Sequence, residues 1–303
     1  MAGALALRSY CGPVGLGLAP AHVRRVGLRG TGSRGEDVLP PLARASARHT
    51  LSTAPSPLRA QDPTIALITG ASSGIGKAIA LALADRGTTL GLVSRRPDAL
   101  EAVTEAARRR GAEVRCYRAD LSLDADIERL GQSLRQDLGR LDVLVHSAGA
   151  IAPGPMEAVS FRDFETQYRT NLRAPYFLTQ TLLPMLRKSR GQVVFINSSA
   201  GRVAKANVGP YAATKHALKA VADSLREEVN RDGVRVLTVY AGRTATPMQA
   251  ALHEREGMPY APERLLQPED VAATVIAALT LPRTAEVTDI SIRPMIGPGS
   301  EGR

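Results

Sequence analysis

The sequence predicts an α/β protein, a doubly wound and mostly parallel sheet with helices on both faces in a single domain. Three observations carry this expectation. Short apolar segments alternate with amphipathic ones from Thr64 to Ile292, a glycine-rich turn separates the first such pair, and no internal repeat marks a second domain. Parallel neighbours need right-handed crossovers, so the strands are expected to be buried on both faces.

The elements follow in order. Thr64–Ile68 is an apolar strand, and the helix after the turn shows its buried face in Ile75, Ala78, Ile79, Ala82 and Leu83 before Gly87 stops it. Thr88–Ser94 is expected as the second strand and Pro97–Arg110 as a helix closed by Gly111. Val114–Ala119 follows as a strand, Asp124–Leu138 as a helix ending at Gly139, and Asp142–Ser147 as the fourth strand. Two long helices are expected, near Phe161–Lys188 and Tyr211–Arg231, with the strand Gln192–Ser198 between them. Val234–Tyr240, Pro268–Leu279 and Glu286–Ile292 complete the pattern as strand, helix and strand.

Composition excludes several classes. The 303 residues are 44% hydrophobic and 22% charged, which rules out wholesale disorder and fibrous architectures. The longest charge-free run, Ser9 to Val23, is broken by Gly and Pro and falls short of the ~20 apolar residues that span a bilayer. Net charge is +10, but eight arginines against Glu36 and Asp37 place +6 of it in residues 1–60. The rest is too nearly balanced to track phosphates, so no nucleic-acid partner is expected.

Residues 1–61 are expected to be a disordered Arg/Ala/Gly-rich extension, and their acid-poor character fits a targeting segment. A cytoplasmic location is expected, or the mitochondrial matrix if that segment is a transit peptide. Residues 62–295 form the expected catalytic domain, and 296–303 a flexible tail. Two cysteines, Cys11 and Cys116, give no structural disulfide and fit a reducing compartment.

Chemistry begins at the turn Thr69-Gly70-Ala71-Ser72-Ser73-Gly74-Ile75-Gly76. A helix N-terminus offers free N–H groups and about half a positive charge, so glycines there admit a pyrophosphate. With a strand before it and a helix after it, the turn points to a dinucleotide and a Rossmann-type fold. The second strand ends in Ser94-Arg95-Arg96 instead of an acid. A guanidinium pairs with a 2′-phosphate where a carboxylate would take a free hydroxyl, so NADP(H) is favoured.

Tyr211 and Lys215 stand four residues apart, on one face of a predicted helix. A neighbouring ammonium favours the phenolate of a tyrosine. Ser198, at the end of a strand, would hold a substrate oxygen beside that phenol at the carboxyl edge of the sheet.

Over about residues 62–295 the sequence resembles the short-chain dehydrogenase/reductase family. The cofactor motif matches Thr69 to Gly76, the acid after the third strand matches Asp120, followed by Leu121, and the Ala-Gly pair after the fourth matches Ala148-Gly149. Both asparagines before that pair are replaced, by His146 and Ser147. The relay asparagine matches Asn171, the catalytic serine Ser198, the tyrosine Tyr211 and the lysine Lys215. Ala241-Gly242 stands in place of Pro-Gly, ahead of Thr244 as the nicotinamide contact.

The resemblance implies hydride transfer between a nicotinamide and a carbonyl or secondary alcohol, with Tyr211 as acid or base and Ser198 polarising the substrate oxygen. Lys215 would lower the Tyr211 pKa and bind ribose hydroxyls, while Asn171 would help hold a water. It also implies a homodimer or homotetramer. The alternative is a non-catalytic NADP(H)-binding sensor or scaffold of the same fold.

His216 faces away from the Lys215 side of its helix, and His146 and His253 lack partners at metal spacing, so no metal is expected. The substrate walls are expected in Ile151–Met156, Arg202–Asn207 and the covering segment Met248–Leu266. Sugars, fatty ketones, steroids and quinones all remain compatible as substrates.

Overall fold

The computed structural model describes residues 64–295. The expectations for residues 1–61 and 296–303 lie outside the described residues. Within them the strands are β1 (Ile65–Thr69), β2 (Thr89–Ser94), β3 (Val114–Arg118), β4 (Val143–His146), β5 (Gln192–Ser198), β6 (Arg235–Ala241) and β7 (Asp289–Ile292). They form one seven-stranded sheet in the order β3-β2-β1-β4-β5-β6-β7, every pair parallel. The helices are α1 (Gly74–Ala84), α2 (Pro97–Arg109), α3 (Asp124–Asp137), α4 (Phe161–Tyr168), α5 (Ala174–Ser189), α6 (Gly209–Val229), α7 (Pro247–Arg255) and α8 (Pro268–Leu279).

Two apolar layers hold this together, because alternate residues of each buried strand point to opposite faces. On one side Ile68, Leu92, Val145, Val194 and Val239 pack with α1, α2 and α8 through Ile79, Leu83, Val103, Val271 and Val275. On the other, Leu67, Val93, Leu144, Phe195 and Val236 meet α3, α5 and α6 through Leu134, Leu178, Leu182 and Leu225. Truncating one of these large buried side chains to alanine costs about 2–5 kcal/mol. Between β1 and β4 the winding reverses, and a cleft opens beyond the carboxyl ends of the strands.

The expected helix over Phe161–Lys188 is three pieces. A single π turn, Arg169–Arg173, lies between α4 and α5. Helical backbone is continuous through it, with Tyr168 and Ala174 both in αR geometry, so the apolar period masks the change of hydrogen-bond step. The covering segment contains a helix, α7, started by Pro247 and by Thr246, whose side chain accepts from the Gln249 N–H. The last strand is confined to Asp289–Ile292 at the sheet edge. Among the described residues no helix is long and apolar enough to cross a membrane.

Candidate active site

The glycine-rich turn is fixed from beneath. Thr69, 1% exposed, accepts from the N–H groups of Ser147 and Ala148 at 3.1 and 3.2 Å and donates to Val145 O at 3.3 Å, tying the end of β1 to the loop after β4. Gly70 has φ +67°, and a Cβ there would come within 2.8 Å of the Ala148 backbone. Gly76 sits under the turn instead of lining the cleft. A Cβ on it would lie 2.5 Å from Gly70 O, so this glycine sets how closely α1 approaches the loop.

Gly70, Ser72, Ser73, Gly74 and Ile75 line a cleft of about 1370 Å³. Ser94, Arg95, Arg96, Asp120, Leu121, Ser147, Ala148 and Gly149 continue its wall from the ends of β2, β3 and β4. Ser94 and Ser72 share a hydroxyl contact at 2.9 Å, and the Arg96 guanidinium reaches over the turn to the Ser72 and Ser73 hydroxyls at 3.4 and 3.3 Å. Burial works against ionisation of Asp120, but the Ser122 N–H and hydroxyl, with Arg95 nearby, hold its carboxyl below the ordinary carboxylate value. A cradle with no room for Cβ atoms, a helix N-terminus above it and a cationic fork at its rim fit a phosphorylated dinucleotide.

At the other end of the cleft stand Ser198, Tyr211 and Lys215. Ser198 closes β5 and accepts from the Ala200 N–H at 3.1 Å, the first bond of a short 3₁₀ turn. Its hydroxyl and the Tyr211 phenol line the same wall of the cleft. Burial pushes that phenol above its ordinary pKa, and the Ser198 hydroxyl pulls the other way without prevailing. The ammonium expected to depress the phenol lies 5.8 Å from the ring centroid and donates to Ile196 O at 3.0 Å. Burial also lowers Lys215 itself, to about 8.

Asn171 lies behind the cleft wall, 1% exposed. Its Nδ2 donates to Ala150 O at 2.8 Å and to Thr214 Oγ1 at 3.1 Å, and its Oδ1 accepts from the Ala150 N–H at 2.7 Å. Thr214 in turn donates to Tyr211 O at 2.8 Å. Asn171 thus links the loop after β4 to the turn of α6 that carries the tyrosine.

Gly242 and Thr244 also line the cleft, and the Thr244 hydroxyl donates to Gly242 O at 3.0 Å. Two groups have contacts that the sequence did not reveal. Asn197, 3% exposed, donates to Lys215 O at 3.0 Å and accepts from the Ser198 N–H at 2.7 Å, setting β5 against α6. His253 is buried on α7, within 3.1 Å of the Gln249 side chain and 3.3 Å of the Arg243 guanidinium, while Arg243 forms an ion pair with Glu256 at 2.8 Å. The i to i+4 spacing of Gln249 and His253 was the signal available for the second.

A family model described as short chain dehydrogenase matches residues 64–257. The chain belongs to this family of oxidoreductases. Among curated members, sepiapterin reductase from Chlorobaculum tepidum is 33% identical over 77% of this chain and 97% of its own length. Glycine betaine reductase ATRR from Emericella nidulans is 34% identical over 76% of this chain, which spans only 18% of that larger protein. Of solved structures, an alcohol dehydrogenase from Thermococcus sibiricus complexed with 5-hydroxy-NADP superposes with a TM-score of 0.72 at 28% identity, covering 79% of this chain and all of that one.

Two departures from the short chain dehydrogenase pattern have physical readings. His146 points away from the cleft, stacked on Phe195 at 5.0 Å between ring centroids and 2.8 Å from Thr179 Oγ1. Complete burial lowers its pKa to about 3, so it is a neutral brace between β4 and α5. Ala241 continues β6 into its pairing with Ile292, and the Gly242 N–H extends the ladder to Ile292 O at 2.8 Å.

Proposed function

We propose that this chain is an NADP(H)-dependent oxidoreductase that interconverts a carbonyl and a secondary alcohol. One observation carries the reading: Ser198, Tyr211 and Lys215, whose Nζ lies 5.8 Å from the Tyr211 ring centroid, line the same cleft that the glycine-rich turn opens into. Bound there, the nicotinamide dinucleotide supplies or takes the hydride. Arg95 and Arg96, in place of an acid after β2, support the 2′-phosphorylated form.

In reduction, Ser198 Oγ–H holds the carbonyl oxygen and Tyr211 donates its phenolic proton to it. The raised phenol pKa keeps that proton in place at neutral pH, which suits the acid role. In oxidation Tyr211 must first lose the proton, so that direction is favoured at alkaline pH. Lys215 would hold ribose hydroxyls with its ammonium, and its pKa, lowered to about 8, means it is half charged at that pH and loses the charge above it. Asn171 acts as a positioning residue, because its polar atoms are bonded to Ala150 and Thr214.

Changing Tyr211 to Phe removes the proton and keeps the ring. Ketone reduction, followed by NADPH absorbance, is expected to fall about 10²- to 10⁴-fold while NADPH still binds by fluorescence titration. Turnover within tenfold of the parent refutes the acid role. The reading includes a homodimer or homotetramer. Phe161, Phe164, Tyr176 and Phe177 stand exposed on α4 and α5, an apolar row that self-association would cover. Sedimentation of the full chain at a single-chain mass would remove that part.

A further inference from the structure

The charges in the cleft are distributed unlike those of the chain. Outside residues 1–60, bases and acids are nearly balanced. Around the substrate end, however, the cleft lining includes Arg202, Lys205, Arg243, Arg255 and Arg293 against one acid, Glu256, and that acid is paired with Arg243. Such a concentration of one sign in a concave site draws in and holds the opposite sign.

Arg202 is the best organised of these cations. Its guanidinium lies 4.0 Å over the ring of Tyr240, which is itself 1% exposed. That contact holds the guanidinium carbon over the ring, while its N–H groups remain able to donate. Among the described residues, no acid or carbonyl accepts from them.

The position of Arg202 relative to the reacting groups is also set. The 3₁₀ turn Ser199–Gly201 joins it to Ser198, with the Arg202 N–H donating to Ser199 O at 3.1 Å. The turn is closely packed, since a Cβ on Gly201 would meet Asn197 Oδ1 at 2.6 Å and Lys215 O at 2.9 Å. Just past β7, the Arg293 backbone packs on Gly242, two residues after Tyr240.

We infer that Arg202, with Arg293 lining the same cleft, is an oxyanion anchor that selects carbonyl substrates bearing a carboxylate. This rests on the carbonyl-reducing reading of the same site. A guanidinium with two N–H groups on one edge matches a planar carboxylate, which takes two parallel bonds from it. The hydroxyls of Ser198 and Tyr211 then receive the ketone oxygen one turn away.

The test uses straight-chain methyl-ketone acids of graded length together with their methyl esters. With the full chain and NADPH, kcat/KM for the best acid is expected to exceed that for its ester by about 10- to 100-fold, the range for charge-assisted hydrogen bonds. The difference is expected mainly in KM and shrinks as salt is added. In Arg202→Ala the acid-to-ester ratio collapses toward one, and Arg202→Lys restores part of it. Calorimetric binding of acid and ester to both proteins gives the same comparison without turnover. Turnover of esters with no acid preference, or a preference that survives Arg202→Ala, overturns the anchor alone. Failure to reduce any ketone overturns the reading beneath it, and the calorimetry then decides the anchor.

Discussion

Replacing Asn171 by alanine is expected to cost the fold about 2–4 kcal/mol. Among the described residues, alanine removes the only partners of the Ala150 N–H and carbonyl, at 2.7 and 2.8 Å, and the donor to Thr214 Oγ1 at 3.1 Å. An unsatisfied buried polar group costs about 1–3 kcal/mol. Two are created, and Ala150 is only half-buried, so water relieves part of the loss. Thr214 keeps its own bond to Tyr211 O at 2.8 Å and adds little. For a domain of this size each kcal/mol moves Tm by about 2–4 °C, giving a fall of roughly 4–16 °C. Thermal melts of parent and variant by circular dichroism read this directly. A fall under about 2 °C would falsify the bridging role, since the three bonds would then be worth less than one ordinary hydrogen bond.

Gly76→Ala forces a Cβ to within 2.5 Å of Gly70 O, and the backbone must shift at a cost of about 1–3 kcal/mol. Lower melting and weaker NADPH binding in fluorescence titrations are expected, and parent-like values would show that the turn relaxes freely. Arg96→Asp, at the guanidinium over Ser72 and Ser73, is expected to raise KM for NADPH about tenfold or more and leave NADH nearly unchanged. An unaltered ratio of the two would leave the phosphate to Arg95 alone. His146 titrates near 6.5 when unfolded and near 3 in the fold, so the unfolded chain binds the extra proton and stability falls as pH drops through that window. The full loss is roughly 4–5 kcal/mol, and His146→Asn is expected to flatten the acid limb of a stability-against-pH curve. An acid limb identical to the parent's would clear His146 of that role.

The fold was legible because its signals are local and repeated. Apolar strands between helices stopped by Gly87, Gly111 and Gly139 need no distant information, and the turn at Gly70 to Gly76 marks its own position between β1 and α1. Tyr211 and Lys215 were legible through helical spacing, and Ser198 through its place at a strand end. Other features depend on contacts far apart in sequence. The π turn at Arg169–Arg173 keeps an ordinary helical pattern on either side, and what distinguishes it is the bond from Asn171 to Ala150, 21 residues away. The helix α7 has no apolar stripe, only its cap at Thr246 and Pro247, because it covers a polar cluster instead of a hydrophobic layer. The Lys215 ammonium bonds to Ile196 O, a carbonyl 19 residues away that no i to i+4 argument reveals.

The π turn also bears on how this chain tolerates insertions and deletions. Loops usually absorb a lost residue most easily, because little depends on their register. Between Arg169 and Arg173 the opposite holds: dropping one residue lets regular α-helical bonding run unbroken from Phe161 to Ser189, a change the backbone accepts readily. It would also swing Asn171 around the axis and away from Ala150 and Thr214. A shortened descendant could therefore keep the architecture and lose the alignment of its tyrosine, a lesion that a folding screen passes and only an assay exposes.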